Sequence, residues 1–169
     1  KGDSQKLLFL HGLSDSADQF NPIASCLPED WHLIALDQRG HGGSWKPDKG
    51  YSPLDYSQDI KKFIDVVGIN SLHIFGHSMG GRNALIFSSE YSESTQSLIL
   101  GDIGPDKNLE DVKATTDFFN SLPASFNTEE EARSHLQKRK PDYSGENINI
   151  LMKNLEKQDN GTLVWRYSK

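Results

Sequence analysis

A serine between glycines lies near the middle of the chain, in the segment FGHSMGG that spans residues 75–81. Residues 76–80 match the pattern Gly-x-Ser-x-Gly, with an apolar run before the motif and a helical pattern after it. A serine in that context sits on a sharp strand-to-helix turn with its hydroxyl exposed, and neighbours that lack a Cβ allow the chain to turn. We therefore predict that Ser78 is a catalytic nucleophile. The alternative is an ordinary glycine-rich turn.

Attack on a carbonyl also needs hydrogen-bond donors for the oxygen that becomes negatively charged. The amide of Met79 would begin the following helix, where N–H groups point outward and the helix dipole favours negative charge. A second donor is expected from the loop after the first apolar run, LHGLSDS (residues 10–16). We predict that the amides of Leu13 and Met79 form an oxyanion hole.

Two other kinds of site can be compared with the same sequence. Neither Gly-x-x-x-x-Gly-Lys-Ser/Thr nor Gly-x-Gly-x-x-Gly occurs, which argues against a phosphate-binding loop. Asp37 and His41, in DQRGHGGS (residues 37–44), could ligate a metal ion, but no third ligand lies near them in the sequence. We interpret this stretch as a structural loop that could line the site. No metal ion and no organic cofactor is predicted.

Composition narrows the class of protein and its partners. The net charge of −6 argues against a nucleic-acid binder, which needs a basic face. No run approaches the ~18 apolar residues of a membrane span and no signal-peptide pattern is present, so we expect a cytoplasmic location. The expected partner is a small molecule, and the oligomeric state stays open.

The single cysteine, Cys26, lies in an apolar stretch and is predicted to be a buried structural thiol.

Four apolar runs, each closed by a glycine, alternate with helical patterns in the first 105 residues. The runs cover residues 6–12, 31–40, 71–76 and 97–104, and the helical patterns cover 20–27, 52–68 and 79–91. Short continuous apolar runs are typical of parallel strands that are buried on both faces. Ser52, Pro53 and Asp55 form a capping-box pattern at the start of the second helix. We therefore predict an α/β fold with a doubly wound, mostly parallel sheet.

The sequence pattern changes after Pro105. Residues 106–158 carry only helical patterns, with helices expected near 109–122, 128–140 and 147–157. A tight turn and a short extended run follow in DNGTLVWRY (residues 159–167). We predict that residues 1–105 form the α/β core and that residues 106–169 form a helical cap. The cap would cover the carboxyl edge of the sheet, where ligands bind in open α/β folds.

Four segments together resemble the α/β-hydrolase superfamily: FLHGLSDSADQF, ALDQRGHGGS, FGHSMGGRNAL and LILGDIGP occur in its order and spacing. The resemblance covers nearly the whole chain. The DIGP segment, the short helical cap and LMKNLEKQDNGTLVWRY are similar to the small-esterase branch, which includes bacterial acyl-CoA-cleaving esterases and their mitochondrial relatives. The resemblance implies an incomplete α/β-hydrolase fold. It also implies hydrolysis of carboxylic esters or thioesters with short-to-medium acyl groups, through an acyl-enzyme.

The residue at the nucleophile position narrows the chemistry further. Haloalkane dehalogenases and epoxide hydrolases of this fold carry aspartate there, so Ser78 disfavours both. Esterase, lipase, thioesterase, aminopeptidase and C–C hydrolase activities remain. A non-catalytic binding protein that keeps the motif but lacks a base is the alternative of another class.

The resemblance implies that a catalytic acid and then a histidine follow the serine along the chain. Asp102 ends the apolar run after the serine helix, which resembles the position of the acid in the small-esterase branch. The alternative is a structural carboxylate at Asp102, with the catalytic acid beyond Lys169.

None of the histidines follows Asp102 at the end of a strand, so none fits the position of the base. His73, inside a predicted strand, is interpreted as a core histidine. We expect the base outside these residues, in a longer polypeptide of which this chain lacks pieces at both ends. The six histidines are His11, His32, His41, His73, His77 and His135.

Aromatic residues of the predicted cap could shape an apolar acyl pocket. The candidates are Phe118, Phe119 and Trp165, together with His11 and His77, which adjoin the proposed oxyanion loop and nucleophile. The alternative is that the aromatic side chains pack the cap onto the sheet.

Overall fold

The computed structural model describes residues 4–104 and 109–168, which divide into two compact units. The first unit extends to Ile103 and the second begins at Gly104. The strands of the first unit are β1 (Lys6–Leu10), β2 (His32–Leu36), β3 (Leu72–His77) and β4 (Thr95–Gly101). Its α-helices are α1 (Asn21–Ala24), α2 (Pro53–Val66) and α3 (Met79–Glu90), and the segments Ala17–Phe20 and Ser92–Ser94 form short 3-10 turns.

The four strands form one parallel sheet in the order β2-β1-β3-β4. Leu8 in β1 lies opposite Ile34 in β2 and Ile74 in β3, so β1 and β3 are the central strands. This arrangement confirms the predicted parallel sheet. Because parallel strands end at the same edge, the residues after β1, β3 and β4 are brought together there.

The side chains of β1 alternate between two apolar clusters, one on each face of the sheet. Leu8 and Leu10 pack with side chains of α2 and α3, which include Ile64 and Phe87. The opposite-facing residues Leu7 and Phe9 pack with Phe20, from the 3-10 turn before α1. A central strand covered on both faces explains why the β1 sequence is continuously apolar.

The two edge strands are more exposed than the sequence predicts. In β4, Ile99 and Leu100 are 50% and 40% exposed, and no residue of β2 is fully buried. Both strands lie at an edge of the described sheet, with one neighbouring strand each, so their apolar runs do not imply burial on both faces. His73 is also only half-buried. Its two ring nitrogens form hydrogen bonds with Ser97 and Gln5, as predicted for this histidine, but its side chain does not lie in the core.

The helix predicted over residues 20–27 is much shorter in the structure. A 3-10 turn precedes α1, and α1 contains no fully buried residue. The prediction that Cys26 is buried was wrong: its thiol is exposed, because Phe20 is the side chain that anchors this segment to the sheet.

The second helix begins and ends as its sequence predicts. The Asp55 amide donates to the Ser52 hydroxyl over 3.3 Å, and the Ser52 amide donates to the Asp55 carboxylate over 2.9 Å. These two bonds complete the predicted capping box. Gly68, just after the helix, has a φ of +71°, which glycine adopts without strain.

The described part of the second unit contains three helices and a small antiparallel sheet with the order β5-β7-β6. The helices are α4 (Leu109–Asn120), α5 (Glu129–Arg139) and α6 (Gly145–Met152), and the strands are β5 (Ser125–Phe126), β6 (Leu155–Lys157) and β7 (Leu163–Trp165). The expectation of helices alone before residue 158 was therefore wrong. Leu155, which matches a helical spacing, instead pairs with Trp165 and packs beside Phe126.

Replacement of Ile74 by alanine should lower the free energy of unfolding by about 2–5 kcal/mol, because the side chain is fully buried in the central strand β3. Chemical denaturation measures this change. Ile23→Ala is the matched control, since Ile23 is 45% exposed in α1, and its effect should stay within about 0.5 kcal/mol. Equal losses for the two variants would contradict the described core.

Candidate active site

Ser78 occupies a strained backbone position between β3 and α3. Its φ is 50° and its ψ is −113°, a conformation that side chains with a Cβ rarely adopt. Its amide donates a 2.8 Å hydrogen bond to the carbonyl oxygen of Gly101, at the end of β4. Among the described residues, no group forms a hydrogen bond with its hydroxyl. The serine therefore stands at the carboxyl edge of the sheet, and its hydroxyl is available to a base, which a serine nucleophile needs to take its proton.

The glycines around Ser78 are needed because backbone packs against backbone. A Cβ on Gly80 would overlap the carbonyl oxygen of Leu10 at the end of β1. A Cβ on Gly76 would lie 2.5 Å from the Gly81 Cα. The first turn of α3 thus lies directly on the ends of the two central strands, and this contact fixes where the serine stands.

Backbone strain marks the same edge of the sheet at two further positions. In the described residues, the non-glycine residues with positive φ are Ser14 (66°), Ser78 (50°) and Asp102 (56°). Ser14 lies in the loop after β1 and Asp102 directly follows β4. Strained residues cluster at active sites, where the surrounding structure holds them in place. The strain therefore supports a functional site at this edge.

The loop after β1 lies close to the serine turn. A Cβ on Gly12 would be 3.6 Å from the Ser78 Cβ and 2.8 Å from the His77 ring nitrogen Nδ1. Leu13, the next residue, is 41% exposed, and Met79 is the first residue of α3. The two proposed oxyanion donors thus lie on elements that meet at Ser78. Their role in catalysis stays a prediction.

His77 contacts the candidate acid and the loop after β1. Its Nε2 lies 3.6 Å from the Asp102 carboxylate, and its Nδ1 lies 2.9 Å from the side-chain nitrogen of Gln19. The oxygen of the same Gln19 amide accepts a hydrogen bond from the Gly12 backbone over 3.3 Å, so the NH₂ group faces His77. Nδ1 is then the acceptor and Nε2 carries the proton that faces Asp102. Asp102 itself is 82% exposed.

His11 lies fully buried beneath this loop, with both ring nitrogens occupied. Its Nδ1 bonds the Gly12 carbonyl oxygen over 2.8 Å, and its Nε2 accepts from the Gln38 amide over 3.0 Å. Burial lowers the pKa of His11 to about 4, although the hydrogen bond to Gly12 opposes the shift. The ring is therefore neutral near pH 7. The ring has no exposed surface, and its contact with a substrate, which the sequence suggests, stays a prediction.

The loop after β2 is held by its own polar groups. The Asp37 carboxylate accepts 2.8 Å hydrogen bonds from the amides of Ala17 and Gly43. Arg39 pairs with the Asp59 carboxylate on α2, through its Nε and Nη2. These bonds agree with a structural loop. Within residues 4–104 and 109–168, no cluster of three or more His, Cys, Asp and Glu side chains is suited to a metal ion.

The aromatic residues proposed to shape an acyl pocket are connected within the second unit. The ring centroids of Phe118 and Phe119 are 5.2 Å apart, and Tyr167 lies 6.1 Å from Phe119 and 5.4 Å from Trp165. The Trp165 indole also donates to the carbonyl oxygen of Pro123. Trp165 is thus packed inside its unit, and the lining of a substrate pocket by these rings stays a prediction.

The sequence did not single out four polar residues that the structure places at the site. Ser14 adopts a strained backbone, Gln19 connects Gly12 to His77, and Gln38 and Asn83 are buried beside His11. Little in the sequence marks these residues as part of a site. A glutamine after an apolar strand and an asparagine in a helix are usually exposed, so burial of Gln38 and Asn83 is not expected from their type.

Comparisons with known proteins agree with this geometry. A family model described as alpha/beta hydrolase fold matches residues 6–160. The 2-(acetamidomethylene)succinate hydrolase of Mesorhizobium japonicum is 31% identical over 150 residues, which cover 89% of this chain and 54% of that protein. A crystal structure of an E-2-(acetamidomethylene)succinate hydrolase superposes with a TM-score of 0.89 at 30% identity, over 99% of this chain and 63% of the other. A marine microorganism esterase superposes with a TM-score of 0.79 at 28% identity, over 99% of this chain and 66% of the other.

The chain spans about half the length of the curated relatives it matches. None of the helices in the described residues has both the length and the apolar character needed to cross a membrane.

The buried neutral ring of His11 should make the protein less stable in mild acid. The unfolded chain takes up a proton near the ordinary histidine pKa of 6.5, whereas the folded chain takes it up at about 4. Stability from this group is thus complete above pH 6.5 and is lost as the pH falls towards 4. Between pH 7.5 and pH 5 the loss should be about 2 kcal/mol.

Urea denaturation at the two pH values, with His11→Gln as the comparison, measures this loss. The variant lacks the titrating group, so the wild type should lose more stability than the variant by that amount. Identical pH dependence of the two proteins would show that the His11 ring is not held neutral by the fold.

Proposed function

This chain belongs to the alpha/beta hydrolase fold family, and from that premise we propose that it is a serine hydrolase that cleaves carboxylic esters or thioesters. The observation that carries the proposal is the strained Ser78 at the turn between β3 and α3, with its hydroxyl uncommitted among the described residues. A serine held in a strained conformation at the ligand-binding edge of a parallel sheet fits a nucleophile, because such strain is typical of active sites.

The proposed reaction proceeds through an acyl-enzyme. The Ser78 oxygen attacks the substrate carbonyl carbon while a histidine base takes the hydroxyl proton. The amides of Leu13 and Met79 hold the carbonyl oxygen as it becomes negative, and each such donor contributes about 3–4 kcal/mol. The tetrahedral intermediate expels an alcohol or thiol, which receives the proton from the histidine. Water, deprotonated by the same histidine, then releases the acid and restores Ser78.

We assign the acid of this site to Asp102 and leave the base outside the six histidines of the sequence. Asp102 follows β4 at the same edge as Ser78 and presents an exposed carboxylate, which a histidine could reach. His77 holds its protonated Nε2 towards that carboxylate and uses Nδ1 towards Gln19, so its ring nitrogens are already committed. None of the six histidines follows Asp102 at the end of a strand, so a histidine supplied by another segment is the proposed base.

The substrate is proposed to be a small ester or thioester with a short-to-medium acyl group, an acyl-CoA being one such thioester. Residues 106–169 would act as a cap over the core formed by residues 1–105. Its rings Phe118, Phe119 and Trp165 would contact the acyl chain. The similarity to a marine microorganism esterase supports an ester substrate.

A second candidate is hydrolysis of a different bond by the same serine, such as a C–C or peptide bond. One specific observation favours it: a relative that matches 89% of this chain is named for hydrolysis of 2-(acetamidomethylene)succinate, which is not a simple ester. Rates with p-nitrophenyl esters, an acyl-CoA and 2-(acetamidomethylene)succinate, measured on one preparation, would separate the two candidates.

Replacement of Ser78 by alanine should abolish reaction with a fluorophosphonate probe, which phosphonylates an activated serine. Hydrolysis of p-nitrophenyl butyrate should fall by about a thousandfold or more, because the bond to the acyl group can no longer form. In-gel fluorescence and absorbance at the nitrophenolate band measure the two effects on the protein expressed from its complete coding sequence.

Ser89→Ala is the matched control, since Ser89 is an exposed serine on the same helix. It should keep both labelling and hydrolysis. A wild-type protein that neither reacts with the probe nor hydrolyses any of the substrates above would contradict a serine hydrolase and leave the non-catalytic binding protein.

Replacement of Asp102 by asparagine should lower kcat by about a thousandfold or more, because the base would lose the carboxylate that orients it and stabilises its charge. Asparagine tolerates the positive φ of this position, so the substitution removes the charge with little change in the backbone. Steady-state kinetics with p-nitrophenyl butyrate measure the effect.

Asp30→Asn serves as control, because Asp30 is an exposed aspartate outside the site. A kcat for Asp102→Asn within about twofold of the wild type would assign Asp102 a structural role and move the catalytic acid elsewhere.

A further inference from the structure

A chain of buried polar groups runs beneath the loop after β1. Gln38 and Asn83 are each only 2% exposed, and His11 is completely buried. The Asn83 side-chain nitrogen donates to the Gln38 side-chain oxygen over 2.8 Å, and the Gln38 side-chain nitrogen donates to the His11 carbonyl oxygen over 2.7 Å. The His11 ring continues the chain to the Gly12 carbonyl oxygen. We call the side chains of Asn83 and Gln38, together with the ring and the main-chain carbonyl of His11, the buried amide network.

The direction of every bond in the buried amide network is determined by its backbone partners. The Gln38 backbone amide can only donate, so Nε2 of His11 is an acceptor and, in the neutral ring, Nδ1 carries the hydrogen that bonds Gly12. The His11 carbonyl can only accept, so the Gln38 side chain turns its NH₂ group there and its oxygen towards Asn83. The network therefore has a single arrangement.

The last bond of the network controls the amide of Leu13. The Gly12 carbonyl and the Leu13 N–H belong to one planar peptide unit, and in a trans peptide they point in opposite directions. By holding the Gly12 oxygen, the His11 ring therefore fixes the direction of the Leu13 N–H. The Asp15 amide donates to the same oxygen over 3.3 Å and acts in the same sense.

The first bond of the network starts on the helix that carries the other proposed donor. Asn83 lies on α3, four residues after Met79, and therefore one turn along the same helix face. The network thus connects the Met79 element to the Leu13 element through the side chains of Asn83 and Gln38 and then through His11, whose main-chain carbonyl accepts from Gln38 and whose ring bonds Gly12. The relative placement of two N–H groups from different elements is the requirement of an oxyanion hole.

We propose that Gln38 and Asn83 are positioning residues that act through His11 to hold the Leu13 amide in register with the Met79 amide. The proposal rests on the proposed function, since it assigns a purpose to the oxyanion hole of that same site. Neither residue touches the substrate. Apolar side chains of the same size would fill the interior without the cost of burying polar groups, so the contribution of the network lies in geometry rather than in stability.

Three variants separate positioning from stability. Gln38→Met removes the side-chain bonds to the His11 carbonyl oxygen and to Asn83 and keeps the volume. It leaves both of these buried groups without their Gln38 partner, while the bond from the Gln38 backbone amide to the His11 ring remains. Asn83→Leu leaves the Gln38 oxygen unpaired but keeps the bond to His11. The double variant replaces both amides with apolar groups of similar shape, so that neither side-chain amide is left unsatisfied and the stability lost through the unpaired amides should return. The His11 carbonyl oxygen still lacks its Gln38 donor in this variant.

The readouts are kcat, KM and the inhibition constant of a trifluoromethyl ketone. The kcat is calculated per reactive serine, and the reactive serines are counted by fluorophosphonate titration. The trifluoromethyl ketone forms a tetrahedral adduct with serine and therefore needs the oxyanion hole. We expect kcat of Gln38→Met and of the double variant to fall about tenfold to a hundredfold, with KM within about twofold. The inhibition constant should rise in proportion, and Asn83→Leu should show a smaller change of the same kind.

Gln96→Met is the matched control, because Gln96 lies in β4 at the opposite edge of the sheet and bonds Ser71. It should keep kcat and the inhibition constant. Recovery of both stability and kcat in the double variant would overturn the proposal, because it would show that the network contributes only stability. Unchanged kcat in Gln38→Met would overturn it as well.

The wild-type protein in the same experiment distinguishes this inference from the function on which it rests. If the wild type reacts at Ser78 and turns over substrate while the variants keep their kcat per reactive serine, the positioning role fails and the serine hydrolase stands. If the wild type does not react at Ser78, the proposed function fails and the positioning role fails with it.

Discussion

The first turn of α3 rests on the ends of β1 and β3 with no side chain in between, and the described site depends on this contact. Gly80 faces the Leu10 carbonyl and Gly76 faces Gly81, so the two backbones approach more closely than any residue with a Cβ would allow. This approach forces the chain to reverse direction within one residue. That residue is Ser78, and its strained φ and ψ are the local cost of packing helix and strands so tightly.

The parallel sheet then determines what lies around the serine. Because β1, β3 and β4 run in the same direction, the segments that follow them meet at one edge. This edge receives Leu13 and Ser14 after β1, Ser78 after β3, and Asp102 after β4. The loop after β2 adds no described catalytic group, but its Gln38 supports the neighbouring loop from below. The proposed acid, nucleophile and amide donors thus come from separate segments that a single sheet geometry brings together.

Short sequence patterns predicted the strands and the ends of α2, because neighbouring residues determine these features. The four apolar runs became the four strands, and the Ser52–Asp55 capping box and Gly68 marked the two ends of α2. The strand-to-helix context of Ser78 also predicted the turn that the structure shows. In these cases the residues that decide the structure lie within one or two turns of each other.

Features that depend on distant partners were not predicted. Gln38 meets His11 and Asn83 from far along the chain, and Gln19 meets His77 in the same way, so no short window contains both partners. Leu155 has helical spacing with its neighbours, yet its pairing with Trp165 makes it part of a strand. The exposed faces of β2 and β4 likewise reflect their position in the sheet, which an apolar run alone does not reveal.

The pairing of β1 with β3 also has a consequence for the order in which the molecule folds. Leu8 lies opposite Ile74, so pairing of the two central strands closes a loop that contains β2 and α2. Contacts between residues so far apart in sequence form slowly, because the entropy of closing the loop is lost before the contact stabilises the structure. The loop after β1 and the turn at Ser78 approach each other only when that pairing forms. In a partly folded chain these two segments therefore lie apart, and the arrangement around Ser78 should form only when β1 and β3 pair.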